Sequence, residues 1–184
     1  MKYNNIVKLG HEILDKYLNE ESICVDMTLG NGNDTLYLLS KAKFVYAFDI
    51  QEKGIISSKE LLDKNNISSN KYNLILDDHQ NILNHISNQL IDIAIFNLGY
   101  LPNSDKTIKT NYISTINALN NLLTIMNKNS IILLTIYKHE EGLLEYQKIT
   151  ELLNNFDMKK YNIMRFEHVN KPLSPSIILI EINQ

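Results

Sequence analysis

The chain has 184 residues, 44% of them hydrophobic, with 18 Lys and Arg against 21 Asp and Glu for a formal net charge of −3. That length suits one domain with a sizeable core, and the charge balance excludes a global electrostatic footprint for nucleic acid, so any RNA contact must use a local patch or a preformed pocket. The single cysteine, Cys24, cannot form an intramolecular disulfide; no apolar run approaches the ~18 residues of a membrane span, and Met1 to Asn5 carry no signal-peptide core, so a soluble cytoplasmic protein with no membrane attachment is expected.

Asn5 to Asn19 places Ile6, Leu9, Ile13, Leu14, Tyr17 and Leu18 at helical spacing. His11 within it reads as a solvated or core histidine rather than a ligand. Ile23, Cys24 and Val25 form a short apolar run suited to a parallel strand covered on both faces, closed by Asp26. Gly30 and Gly32 then let the chain turn tightly and leave no Cβ between the backbone and a ligand, and a helix runs from about Asn33 or Asp34 to Ser40.

Charge decides which ligand. A dinucleotide turn needs Gly-x-Gly-x-x-Gly so that a pyrophosphate can lie on the helix N-terminus. Here Gly30-Asn31-Gly32-Asn33-Asp34-Thr35 lacks the third glycine and sets a carboxylate where the phosphate would lie, and no P-loop pattern occurs. A cationic centre with ribose hydroxyls suits it better, which describes S-adenosylmethionine. Asp49 closes the next strand, Phe44 to Phe48, 19 residues after Gly30. That is the spacing at which a carboxylate reaches a ribose diol; the alternative is a cap for the helix Glu52 to Lys64.

Tyr72 to Leu76 reads as the third strand, ending in Asp77-Asp78-His79. No spaced partner ligand makes this a metal site. Asp78 is expected to accept from an adenine amino group with His79 near the ring, or else the pair caps the short helix Gln80 to Asn88. Ile91 to Phe96 is a central strand that delivers Asn97-Leu98-Gly99-Tyr100-Leu101-Pro102 at its carboxyl end, where open α/β sheets bind ligands. The Asn97 amide oxygen and the Leu98 carbonyl are acceptors able to hold an amine's N–H bonds, and Tyr100 can stack on a base. Lys106 and Lys109 precede a helix from roughly Thr110 to Asn127 and suit phosphates or an exposed helix start. Ser130 to Tyr137 is the fifth strand, followed by Lys138 and His139, the latter a candidate for substrate contact or proton acceptance. Leu143 to Phe156 is helical. Lys159 to His168 and Ser176 to Ile182 form an antiparallel pair, whose connection, with Arg165 and Lys171, can touch RNA.

Three runs carry a resemblance: Asp26-Met-Thr28-Leu-Gly30-Asn31-Gly32-Asn33-Asp34-Thr35, Ala47-Phe48-Asp49-Ile50-Gln51, and Asn97-Leu98-Gly99-Tyr100-Leu101-Pro102-x-x-Asp105-Lys106. Together they resemble class I S-adenosylmethionine-dependent methyltransferases, and more closely the small bacterial family once labelled rRNA methylases. The resemblance implies a Rossmann-like, doubly wound α/β sheet of seven strands, mostly parallel with an antiparallel final strand, in a single domain over residues 1–184. It implies N-methylation of the aminomethyl group of 5-aminomethyl-2-thiouridine at the wobble position of tRNA, with rRNA or a small amine as alternative substrates, and a homodimer is plausible on the same ground. Cofactor contacts are then expected from Asp26, Thr28, Gly30, Asn31, Gly32, Asn33, Asp34, Asp49, Gln51, Asp78, His79 and Asn97, and the reaction from Asn97, Tyr100, Asp105 and His139. The anticodon loop would meet Tyr100, Lys106, Lys109, Lys138, Arg165 and Lys171. Departures from the family pattern fall at Tyr137-Lys138-His139-Glu140-Glu141-Gly142 and at Glu167-His168-Val169.

Overall fold

The computed structural model describes residues 5–99, 111–138 and 140–183. Seven strands form one sheet: β1 (Ile23–Asp26), β2 (Phe44–Asp49), β3 (Tyr72–Leu76), β4 (Ile91–Leu98), β5 (Met126–Ile136), β6 (Tyr161–Phe166) and β7 (Ser176–Ile182). Their order is β3-β2-β1-β4-β5-β7-β6. Strands β1 to β5 pair in parallel, and β7 runs antiparallel to both β5 and β6. This is the Rossmann-like arrangement expected, with β7 as the antiparallel final strand.

The apolar runs read from the sequence are covered on both faces, and successive residues alternate between two cores. On one face, Cys24, Val45, Ile93, Ile95 and Leu133 pack with α1 (Ile6–Leu14), α2 (Asn33–Leu39) and α3 (Glu52–Lys64). On the other, Val25, Phe48, Ala94, Phe96 and Leu134 pack with α4 (Ile82–His85), α5 (Tyr112–Leu123) and α6 (Glu140–Leu153). Burial of a Leu, Ile or Phe of this kind stabilises by roughly 1.5–3 kcal/mol. Among the described residues no helix is long and apolar enough to cross a membrane.

Several expected boundaries move. Helix α1 is capped by Asn5, whose side chain accepts from the Val7 and Lys8 amides, and it stops at Leu14. Tyr17 and Leu18 still pack on the core from the turn that follows, which is why their spacing looked helical. The segment 110–127 does not stay helical: α5 ends at Leu123, and β5 begins at Met126 opposite Ile91. Polar Asn127 is held in strand by Asp92, which accepts from its amide at 2.8 Å and from the Ile23 N–H at 2.8 Å. The helix expected over 80–88 is a 3₁₀ turn, His79–Asn81, running into the four residues of α4. Helix α6 starts three residues earlier than its apolar periodicity indicated, and β6 is shorter than Lys159 to His168.

Candidate active site

At the carboxyl edge of the sheet, β1 ends in a turn held from both sides. The Met27 N–H donates to Ile95 O at 2.9 Å and the Leu29 N–H to Phe48 O at 2.8 Å, so the turn stays locked between β4 and β2. Asp26 is fully buried, and its carboxylate accepts from the Thr28 N–H (3.0 Å) and the Thr35 hydroxyl (2.7 Å). Burial first, and then the charge of Asp34, push its carboxyl up to about 7. Thr28 in turn accepts the Asn97 N–H at 2.7 Å, tying the first turn to the end of β4.

Gly30 and Gly32 have φ of 56° and 78°, the left-handed region that favours glycine. At Gly32 packing adds a second reason for glycine. A Cβ there would lie 2.7 Å from Ser58 Oγ and 3.0 Å from Ser58 Cα, so Gly32 lets α2 start close against α3. Asn31 and Asn33 are exposed at this turn, Asn31 lying 3.5 Å from the Ser57 hydroxyl.

Asp34, in the first turn of α2, is the junction of the site. One oxygen lies 2.6 Å from His11 Nε2 and the other accepts from Asn97 Nδ2 at 2.6 Å. An ionised carboxylate only accepts, so the amide nitrogen of Asn97 must face Asp34 and its oxygen, Oδ1, is turned away as an acceptor. His11 is therefore neither simply solvated nor a core residue: it is a half-buried member of the site, brought there by α1. Tyr137, just past β5, is also half-buried here; burial and the Asp34 charge both raise its phenol. The Leu98 carbonyl already accepts from the Tyr137 N–H at 3.3 Å.

The Asp49 carboxylate accepts from the Gly30 N–H at 2.9 Å and the Gln51 N–H at 2.8 Å, one on each oxygen, and burial raises its pKa. It thus braces the first turn and keeps further acceptor capacity on both oxygens. Gly54 makes room for it: a Cβ there would fall 2.5 Å from Asp49 Oδ2 and 3.1 Å from Gly30 O. The sequence signal for Gly54 was a glycine inside a helix, which costs about 1 kcal/mol relative to Ala and implies a packing reason.

After β3, Asp78 takes the capping role: its oxygens accept from the Gln80 N–H and the Gln80 side-chain amide, both at 3.0 Å. Asp77 lies off the site, paired with His85 at 2.7 Å. Buried His79 donates from Nδ1 to the Met27 carbonyl at 3.0 Å, and burial lowers its pKa against the opposing charge of Asp78, 4.0 Å from Nε2, which favours the neutral ring with Nε2 as an acceptor. Nε2 is a buried polar atom with no hydrogen-bond partner among the described residues.

This donor and acceptor set fits S-adenosylmethionine. Asp49 offers acceptors to a ribose diol, exposed Ile50 beside it offers an apolar wall, and His79 holds an acceptor without a donor. The charges of Asp34 and Asp49 both push Asp26 up, so the cleft is electronegative, which opposes a pyrophosphate and favours a sulfonium.

The basic residues expected to meet RNA divide. Lys138 does not stand free at the surface as expected: it is buried, its Nζ lies 2.9 Å from Glu167 Oε2 and 4.5 Å over the Tyr146 ring, and Glu167 is held below the usual carboxylate range chiefly by that bond. A lysine so enclosed cannot reach a phosphate. Arg165 is half-exposed and bonds Glu167 at 3.3 Å and the Tyr146 hydroxyl at 2.8 Å. Lys171 is exposed in the 167–175 connection. Tyr100, Asp105, Lys106, Lys109 and His139 lie outside the described residues.

A model of the family described as "Putative rRNA methylase" matches residues 45–181. A chloroplastic tRNA (mnm(5)s(2)U34)-methyltransferase of Arabidopsis thaliana is 28% identical over 187 residues, 94% of this chain and 68% of the relative. The structure of a "putative rRNA-methylase" from Clostridium thermocellum superposes with a TM-score of 0.93 at 33% identity, over 99% of this chain and 100% of that one. A "putative methyltransferase" from Streptococcus mutans, solved in complex with SAH, gives 0.90 at 33% identity over 97% and 98%. The chain belongs to this rRNA methylase family and is a class I S-adenosylmethionine-dependent methyltransferase.

Proposed function

We propose that this methyltransferase acts on tRNA, N-methylating the aminomethyl group of 5-aminomethyl-2-thiouridine at the wobble position. The observation that carries the reading is the fixed amide of Asn97, bound through nitrogen to Asp34 so that Oδ1 stands as an acceptor at the end of β4. A primary amine has two N–H bonds to give and one lone pair to aim; an oriented acceptor holds the former and directs the latter. The Arabidopsis relative, by its name, acts on this tRNA position.

S-adenosylmethionine supplies an electrophilic methyl group on a sulfonium. The chain's own residues position and desolvate. Asp26, Thr28 and Thr35 hold the first turn to β4, Asp49 braces it from β2, and Asn97 orients the amine, which must be neutral to attack. The base would be reached as an unstacked nucleotide of the anticodon loop, and Lys171 and Arg165 would meet the backbone beside it.

The test is methyl transfer from labelled S-adenosylmethionine to bulk tRNA from cells lacking the protein, followed by nucleoside mass spectrometry. Loss of 5-aminomethyl-2-thiouridine with gain of its methylaminomethyl form supports the assignment, and Asn97→Ala should abolish most of that gain while SAH still binds. Label appearing in rRNA alone, or full turnover by Asn97→Ala, would sink it.

A further inference from the structure

Helix α1 lies outside the matched segment 45–181, yet it enters the site. Gly10 brings it close to the sheet: a Cβ there would stand 3.2 Å from Leu133 Cδ2 and 3.8 Å from Ile177 Cδ1, and Ile13 and Leu14 bury the next turn. The following residue, His11, is thereby fixed by the backbone. Its ring is fixed as well, stacked on Tyr37 with centroids 3.7 Å apart and planes within 1°. The single Tyr37 hydroxyl proton is shared between two acceptors, the Asp15 carboxylate and the His11 carbonyl 2.9 Å away, and Asp15 also holds Lys41 at 2.5 Å.

So held, the His11 ring meets the Asp34 oxygen, 2.6 Å from Nε2, as its hydrogen-bond partner among the described residues. That carboxylate carries Asn97 on its other oxygen. A carboxylate with a single donor can rotate about its Cβ–Cγ bond; one gripped from both sides cannot do so without breaking a charge-assisted hydrogen bond.

We propose that His11 is a positioning residue for methyl transfer, acting through Asp34 to hold the Asn97 amide with its oxygen toward the acceptor amine. The proposal rests on the reading of Asn97 given above. His11 does not touch the reacting atoms; it supplies the second grip on Asp34.

The test is a double-mutant cycle read by two measurements. His11→Phe keeps a ring to stack on Tyr37 but has no N–H; His11→Gln keeps an N–H at similar reach. Expected are a fall in kcat of about tenfold or more for His11→Phe, with the SAH Kd and the melting temperature near wild type and with most of the rate restored in His11→Gln. In an Asn97→Ala background, His11→Phe should cost nothing further. A merely structural histidine would lower the melting temperature, and its effect would multiply with that of Asn97→Ala. Wild-type kcat in His11→Phe, or full multiplication, overturns the proposal. The second measurement needs no turnover: the Asn97 side-chain amide protons, followed by NMR in the full chain, should shift and exchange faster in His11→Phe. Unchanged amide signals also overturn the proposal, whereas a wild type inactive on tRNA with a shifted amide signal would fault the substrate assignment and leave the His11 grip supported.

Discussion

Asp26→Asn is expected to make the protein more stable above neutral pH. The replacement has the same shape and can satisfy both partners: its oxygen takes the Thr28 N–H, and its nitrogen donates to the Thr35 hydroxyl, which reverses from donor to acceptor. What changes is the ionisation. Asp26 rises from 3.8 in the ordinary state to about 7 in the fold. Below 3.8 both folded and unfolded chains are protonated and no penalty arises. Between that value and about 7 the unfolded chain has released a proton that the fold retains, so this group makes stability fall as pH rises, and above about 7 the loss is complete. At ~1.4 kcal/mol per decade the span is about 4 kcal/mol, and relaxation with reworked hydrogen bonds leaves about 2 kcal/mol or more. Urea denaturation of both proteins at pH 4.5, 6 and 8 reads the difference directly and cancels the other titrating groups. The variant's advantage should be smallest at pH 4.5, about a quarter of the full span, and largest at pH 8. A difference that does not vary with pH, or a less stable variant at pH 8, refutes the reasoning.

Gly54→Ala should reduce the affinity for SAH by about tenfold or more, because its Cβ meets the carboxylate that braces the first turn; calorimetry showing an unchanged Kd would count against it. Lys138→Met should cost about 1–3 kcal/mol in urea denaturation by removing the main partner of Glu167, while the salt dependence of binding to the proposed tRNA substrate stays as it is. A weakened tRNA complex with unaltered stability would restore Lys138 to the RNA surface. Thr115→Val removes the hydroxyl that donates to buried Glu145 at 2.6 Å and should destabilise by about 1–3 kcal/mol, with Thr115→Ser close to wild type; equal stability of all three would show that this bond contributes nothing.

The fold was legible wherever a local pattern repeats the physics of its surroundings. Ile91 to Phe96 is apolar at nearly every position because helices cover both faces, and that continuity survives in the sequence. Where a partner from elsewhere decides, the local pattern misleads. Asn127 is polar and follows a helical period, yet Asp92 draws it into a strand. His11 meets Asp34 across 23 residues, and nothing within its own helix records the meeting except the glycine before it. Lys138 looked exposed beside charged neighbours because Glu167 and Tyr146, which enclose it, come from a later connection and a later helix.

The single reversed strand has a consequence for the order in which the sheet can be completed. Strand β7 is translated after β6 but lies between it and β5, so β6 cannot join the sheet on its own. Until residues 176–182 clear the ribosome, the long apolar edge of β5 has no neighbour on that side, and open edges of this kind invite pairing with another chain. The β6–β7 hairpin must therefore form and dock as a unit once β7 has been made. A nascent chain arrested after residue 175 should then leave unprotected from hydrogen exchange those β5 amides that face β7, while the amides facing β4 stay protected; a chain released past residue 183 should protect both sets.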